Sequence, residues 1–150
     1  MHDFLKATGE TLLMVGASSL FSVLVGLPLG VLLVLTRPEG LLPKPPFYRV
    51  IDVIINVLRS LPFIILMIVV FPLSRLLIGR ATGTVATIVP LAVAAIPFVA
   101  RIMEQSLLEV DGGVLDAGLA CGARVGQLVF TVLIPEALPA LVNGVTITVI

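Results

Sequence analysis

The sequence predicts an all-α membrane protein, a bundle of several transmembrane helices, and three observations lead to this prediction. Of the 150 residues, 59% are hydrophobic and only 12% are charged, whereas a soluble domain carries about 25% charged residues. The mean hydropathy is +1.22. Long uncharged runs also separate the charged residues, and about 20 apolar residues are enough to cross the hydrocarbon core of a bilayer.

The apolar runs define four predicted spans in a single transmembrane domain, residues 1–150. We expect the spans at about residues 11–36, 51–73, 81–100 and 137–150 onward. The first and the third contain no charged residue. The fourth is still in progress at Ile150, so we expect the chain to be a fragment that is truncated at its C-terminal end.

The third predicted span contains two prolines, Pro90 and Pro97, which lie seven residues apart and therefore on nearly one face of a helix. A proline has no N–H group and frees the carbonyl one turn earlier. In a membrane, such a carbonyl persists only where protein or water satisfies it. Two interpretations remain open: the prolines are kinks that allow helices to pack, or their face lines the path of a solute.

Residues 101–135 differ from the spans, because they combine six charged residues with five glycines. We predict a water-facing pair of short helices here, with a turn at Gly122 and a stop at Pro135. A glycine at the turn permits the positive φ that a sharp reversal between helices commonly requires. Gly118, Gly122 and Gly126 leave little side-chain bulk, so we expect the backbone of another protein to approach closely.

The distribution of Lys and Arg predicts the orientation of the helices. The basic residues of one side are Arg37, Lys44, Arg49, Arg101 and Arg124, with Arg59 nearby, and those of the other side are Lys6, Arg75 and Arg80. The side with more positive charge is the cytoplasmic one. We therefore expect the N-terminus outside and the loop 101–135 in the cytoplasm.

Several classes of function are excluded by the composition. The nine Lys and Arg balance the nine Asp and Glu, so no basic face for a nucleic acid is predicted. A single His and a single Cys match no metal-binding or nucleophile motif. Neither lysine follows a glycine, as the lysine of an ATP-binding loop must. The chain is predicted not to be an enzyme, and any ATP is hydrolysed by a partner.

An ion-coupled secondary transporter is the alternative from another class of proteins. Such carriers usually place carboxylates or His at membrane depth. The second span offers Asp52 near its inner edge and Arg59 about 10 Å deeper along the helix axis, too far for the two to pair directly. Two interpretations of both residues remain open. They are functional groups of a carrier, or they anchor the helix near the membrane interface or pair with neighbouring helices.

The stretch from Asp116 to Pro135 resembles the E-A-A-x3-G-x9-I-x-L-P loop of the permease subunits of ABC importers. The matching residues are Asp116, Ala117 and Gly118 for E-A-A, Gly122 for the glycine, and Val132, Ile134 and Pro135 for the last part. In that family, the loop forms coupling helices that dock on the ATP-hydrolysing subunit. Ala123 departs from the family, which usually has a Ser or Thr after the glycine, suited to cap the second helix.

Segments elsewhere, such as Arg59–Leu66 and Pro135–Asn143, are similar to the methionine-uptake permeases of this family. The resemblance implies a homodimer in the bacterial inner membrane, with an ATP-binding cassette ATPase, an extracytoplasmic solute-binding protein and membrane lipid as partners. It implies no cofactor on this chain, with ATP and Mg²⁺ on the ATPase. Methionine is the implied solute, and a permease for another amino acid is the alternative within the family.

Overall fold

The computed structural model describes residues 2–79 and 83–149, and most of these residues are helical. The helices are α1 (His2–Thr36), α2 (Pro45–Ser60), α3 (Phe63–Ile78), α4 (Thr84–Leu108), α5 (Gly112–Ala120), α6 (Val125–Leu128) and, after a π-helical turn (Val129–Leu133), α7 (Ile134–Val149). In length and composition, α1, α4 and the continuous helix 125–149 are suited to cross a membrane, and α2 with α3 forms a fourth, bent candidate. The predicted all-α bundle is confirmed.

α1 and α4 pack tightly because two glycines of α1 face α4. A Cβ atom on Gly26 would lie 2.6 Å from Cγ1 of Val99, and one on Gly30 would lie 2.8 Å from Cβ of Met103. Neither position has room for a side chain unless α4 moves. The pair Gly26-x-x-x-Gly30 is therefore a helix-packing motif of the kind that allows two membrane helices to approach closely.

The apolar core lies where α4 packs against the end of α1 and against the helix 125–149. Its buried side chains are Val34, Val99, Met103, Leu107, Val129, Leu133, Ala137 and Leu141. Two hydroxyls connect the same helices. Ser22 donates to the carbonyl of Ala92 at 2.9 Å, and Ser106 donates to that of Ala140 at 3.1 Å. Such bonds between helices help to fix the register of α4 against both neighbours.

The predicted second span, residues 51–73, is not one straight helix. α2 ends at Ser60, α3 begins at Phe63, and the two helices are bent by 109° relative to each other. Pro62 lies at the break, and a proline disfavours the α conformation at the residue before it. Leu61 is accordingly extended, with φ −79° and ψ 136°.

The predicted third span, residues 81–100, ends later than expected. Its first two residues, Ala81 and Thr82, lie outside the described residues, as does Arg80. α4 runs from Thr84 to Leu108, so the loop begins eight residues after the predicted start at Arg101. The charge of Arg101 does not end the helix, because it is paired inside the bundle, as described below.

Candidate functional site

The first helix of the predicted coupling loop is α5, which begins directly after Asp111. The Asp111 carboxylate accepts a hydrogen bond from the amide of Gly113 at 2.7 Å, which satisfies an amide that the helix itself leaves free. Asp116 and Ala117 lie on α5, and both are exposed. Asp116 forms no ion pair with any residue that the structure describes, so its charge lies at the open surface of the loop.

α5 ends in a left-handed turn at Gly122, which confirms the predicted conformation of this glycine. Gly122 has φ +82°. Its amide donates to the carbonyl of Leu119 at 2.9 Å, and the amide of Ala123 donates to that of Gly118 at 3.1 Å. These two bonds form a Schellman motif, which favours glycine at the position of positive φ. A Cβ atom on Gly122 would meet nothing within 4 Å, so the backbone alone creates the requirement for glycine.

The space beside Gly118 is filled by this chain itself. A Cβ atom on Gly118 would overlap Cδ2 of Leu128, a buried side chain of α6. The interpretation that Gly118 leaves room for another protein is therefore wrong, and the missing side chain instead allows α5 to pack on α6. Gly126 differs, because a Cβ atom there would contact nothing within 4 Å, and this side of α6 is open.

The second helix of the loop does not stop at Pro135, in contrast to the prediction. The helix 125–149 passes through this proline, so the predicted fourth span, residues 137–150 onward, continues the second helix of the loop. The turn Val129–Leu133 is π-helical, and the amide of Ile134 donates to the carbonyl of Val129. This wider turn directly before Pro135 relieves the clash that a proline ring makes with the carbonyl four residues earlier in a regular α-helix.

The start of the second helix is capped without the Ser or Thr that Ala123 replaces. The side-chain oxygen of Gln127 accepts a hydrogen bond from the amide of Arg124 at 3.0 Å, so a side chain three residues into the helix reaches back to its start. Val132 and Ile134, which match the apolar positions of the family loop, are half-buried. Ile134 packs against the apolar core.

Pro90 and Pro97 lie inside α4, and both are buried. Burial agrees with the interpretation as packing kinks. Pro97 also borders a cavity of about 260 Å³ beside the break between α2 and α3, which agrees with the interpretation as part of a path. A role of the two prolines in transport therefore stays a prediction.

Arg101 joins α4 to α2 through a network of polar side chains. Its guanidinium donates to Oδ1 of Asp52 at 2.5 Å and to Oε2 of Glu104 at 2.5 Å. It also donates to Oδ1 of Asn56 at 3.0 Å. Glu104 is only 3% exposed, and the hydroxyl of Tyr48 donates to its other oxygen at 3.4 Å. A buried carboxylate requires such pairing and hydrogen bonding, because burial removes its hydration.

The sequence does not predict the network, although the spacing of its residues within each helix can be read from the sequence. Asp52 and Asn56 are four residues apart on α2, and Arg101 and Glu104 are three apart on α4, so each pair shares a face of its helix. The sequence does not reveal that the two faces meet. Asp52 is thus a partner of a neighbouring helix, one of its two interpretations. Arg59 forms no ion pair with a described residue.

Known transport proteins are similar in sequence to this chain over its whole length. The model of the family of binding-protein-dependent transport system inner membrane components matches residues 18–150. The chain is 47% identical to the D-methionine transport system permease protein MetI of Escherichia coli O157:H7, over 100% of this chain and 69% of that protein. It is 45% identical to the protein of the same name from Salmonella typhi, with the same coverage.

The fold is shared as well. A chain of the MetNI methionine ABC transporter in an inward-facing conformation matches with a TM-score of 0.96 and 45% identity, over 99% of this chain and 69% of that chain. A chain of an amino acid ABC transporter matches with a TM-score of 0.60 at 21% identity, which shows the fold alone. The resemblance to ABC importer permeases is therefore confirmed: the chain belongs to the family of binding-protein-dependent transport system inner membrane components and is a transport permease rather than an enzyme.

Proposed function

We propose that the chain is the permease subunit of an ATP-driven methionine importer, in which it forms the path of the solute across the inner membrane. The match to a chain of the MetNI methionine ABC transporter carries this proposal, since the TM-score is 0.96 over 99% of the chain. The relatives from Escherichia coli and Salmonella typhi that cover the whole chain are D-methionine permeases by name. Methionine is therefore favoured over another amino acid as the solute.

The importer contains a second copy of this chain, an ATP-binding cassette ATPase and an extracytoplasmic solute-binding protein. The ATPase holds ATP and Mg²⁺, because the sequence of this chain has no G-x-x-x-x-G-K-[ST] loop. Large apolar side chains are exposed on α1 and α3, for example Phe4 at 74% and Leu76 at 84%. Such side chains suit contact with lipid and with the second copy.

The ATPase docks on α5, the turn at Gly122 and the start of the helix 125–149. Asp116 and Ala117 are exposed on this surface, and Gly118 holds α5 against α6. Because the second coupling helix and the last described span are one helix, a displacement of the coupling loop passes directly into the membrane. No flexible connection lies between the two in the described part of the chain.

The coupling loop faces the cytoplasm, and the N-terminus lies outside. The excess of Lys and Arg on the side of residues 37–49 supports this orientation. Single cysteines in a Cys121→Ala background, treated in intact cells with an impermeant thiol reagent, test it. We expect labelling of Gly79→Cys and no labelling of Ala123→Cys, and the opposite result would show that the orientation is inverted.

Reconstitution tests the proposed function itself. The full-length permease, its ATPase and its solute-binding protein are placed in proteoliposomes, and uptake of radiolabelled methionine is measured with and without ATP. We expect uptake that requires ATP and all three proteins. Uptake by the permease alone under an ion gradient would support a secondary transporter instead. Uptake of a different amino acid, without competition by methionine, would refute methionine as the solute.

A further inference from the structure

A cavity beside the break between α2 and α3 contains one charged side chain among apolar ones. Its volume is about 260 Å³, and its lining includes Arg59, the aromatic rings of Phe63 and Phe98, and Pro97. The remaining lining residues are Leu58 of α2, Leu61 at the break, Leu66 of α3 and Ala94 of α4. A guanidinium in an otherwise apolar cavity is suited to bind a small molecule that has an anionic end and an apolar body.

A second cavity of about 440 Å³ adjoins the first. The two cavities share Phe63 and Phe98 in their linings, so the two rings stand where the cavities meet. The second cavity adds the hydroxyls of Ser18 and Ser19 from α1 and of Thr148 from α7. Together the two spaces extend from the break in the second span along α4 towards α1 and the end of α7, and they are large enough for an amino acid.

The first cavity lies near the middle of the predicted first span, and the second lies closer to the N-terminal end of that span. Val99, next to Phe98, packs against Gly26, and Gly26 lies near the centre of the uncharged run 11–36. A charged side chain at membrane depth is costly unless it is paired, and therefore indicates a functional site. Arg59 has no ion pair among the described residues.

The break at Leu61–Pro62 supports the same conclusion. Non-helical backbone at membrane depth is tolerated where it is buried in protein or lines a water-filled cavity, and Leu61 lines this one. Discontinuous membrane helices commonly form the solute sites of transporters. Pro97, a proline inside α4, lines the same cavity on the side of α4.

We propose that these adjoining cavities bind methionine during transport, a proposal that rests on the proposed function. The guanidinium of Arg59 binds the carboxylate, since its planar donors match the two oxygens. Phe63 and Phe98 contact the thioether, because sulfur interacts favourably with aromatic rings.

Binding of radiolabelled L-methionine to the purified full-length permease–ATPase complex, without the solute-binding protein, tests Arg59. We expect Arg59→Gln to lower the affinity at least tenfold and Arg59→Lys to lower it less. Arg49→Gln is the matched control, with unchanged affinity expected, because Arg49 and Arg59 are both exposed on α2 but Arg49 does not line the cavity. Normal assembly with the ATPase and normal basal ATP hydrolysis show that each variant is folded.

Competition by methioninamide, which has no carboxylate, separates a contact with the solute from a structural role. The wild-type complex should prefer methionine to methioninamide, and Arg59→Gln should lose this preference. Phe98→Leu should lower the preference for methionine over norleucine by about twofold to tenfold. An unchanged affinity and an unchanged preference in Arg59→Gln would overturn the assignment of Arg59.

The two proposals fail in different ways. If the wild-type importer takes up methionine in response to ATP and Arg59→Gln still binds it normally, only the site is wrong. If the wild-type importer does not transport methionine, the proposed function is wrong, and the methionine site falls with it. Loss of binding in both Arg59→Gln and Arg49→Gln would also overturn the site, because the effect would then follow from the charge of α2 rather than from the cavity.

Discussion

Replacing Gly122 by valine tests the coupling loop at the position where its backbone requires one particular residue. Gly122 has φ +82°. This conformation costs a residue with a Cβ atom about 1–2 kcal/mol, and the cost of holding a residue in a sparsely populated backbone region reaches about 3 kcal/mol. A Cβ atom here would meet nothing within 4 Å, so overlap at this atom adds nothing to that cost. At 1.4 kcal/mol per tenfold, the strain lowers the population of the native turn by about fivefold to a hundredfold.

We expect Gly122→Val in the full-length subunit to insert into the membrane and to dimerise normally, because the spans are remote from the turn. It should retain the ATPase poorly and fail to stimulate ATP hydrolysis, because the two coupling helices no longer keep their relative position. Co-purification of the ATPase with a tagged permease and ATP hydrolysis in proteoliposomes measure the two effects. Gly122→Asn should be intermediate, since asparagine tolerates the left-handed conformation better than other residues.

Gly126 provides the matched control. It lies in α6 without a positive φ, and a Cβ atom there would also meet nothing within 4 Å. Alanine adds the same atom at both positions, but in α6 it favours the helix by about 1 kcal/mol. Hydrogen exchange of the permease alone should therefore rise around the turn in Gly122→Ala and not in Gly126→Ala. Wild-type ATPase association and uptake by Gly122→Val would refute the reasoning.

Two further substitutions test the packing of the bundle, both measured as thermal unfolding of the full-length subunit in detergent. Arg101→Met leaves two carboxylates of the network without their cation and should lower the free energy of unfolding by about 3–5 kcal/mol. Arg37→Gln is the control: it breaks an ion pair at 3.6 Å with a largely exposed partner and should lower it by less than about 1 kcal/mol. Equal losses would contradict the structural importance of the network. Gly30→Ala places a Cβ atom 2.8 Å from Cβ of Met103 and should lower the free energy of unfolding by about 1–3 kcal/mol. Gly16→Ala is the control, because its Cβ atom would meet nothing within 4 Å, and it should not destabilise the subunit. A Gly30→Ala variant as stable as the wild type would show that α1 and α4 can separate without loss of stability.

Features that depend on a few neighbouring residues could be predicted from the sequence. The positive φ of Gly122 follows from a glycine between two short helical patterns, and the close contact at Gly26 and Gly30 follows from their spacing on one helix face. The role of Gly118 was less accessible, because the side chain that fills its space, Leu128, belongs to the next helix. A glycine alone does not indicate whether its free space is used by the same chain or by a partner.

Features that depend on contacts between distant segments could not be predicted. The sequence predicts that the third span ends before the charge of Arg101, which is a sound rule for a charge that has no partner in the membrane. Here Asp52 of α2 supplies the partner, and 49 residues separate the two in the sequence. The helix can therefore continue to Leu108, and the pair also anchors α2 to α4.

The prolines show that contacts between distant segments decide whether a helix continues or breaks at a proline. Pro90, Pro97 and Pro135 all lie within continuous helices, whereas Pro62 separates two helices that are bent by 109°. All four remove a backbone donor, so the proline itself does not explain the difference. α2 is held on α4 by the bonds of Arg101 to Asp52 and Asn56, and α3 packs along α4 in a different direction. A straight helix cannot satisfy both contacts, and Pro62 is the point at which the chain changes direction.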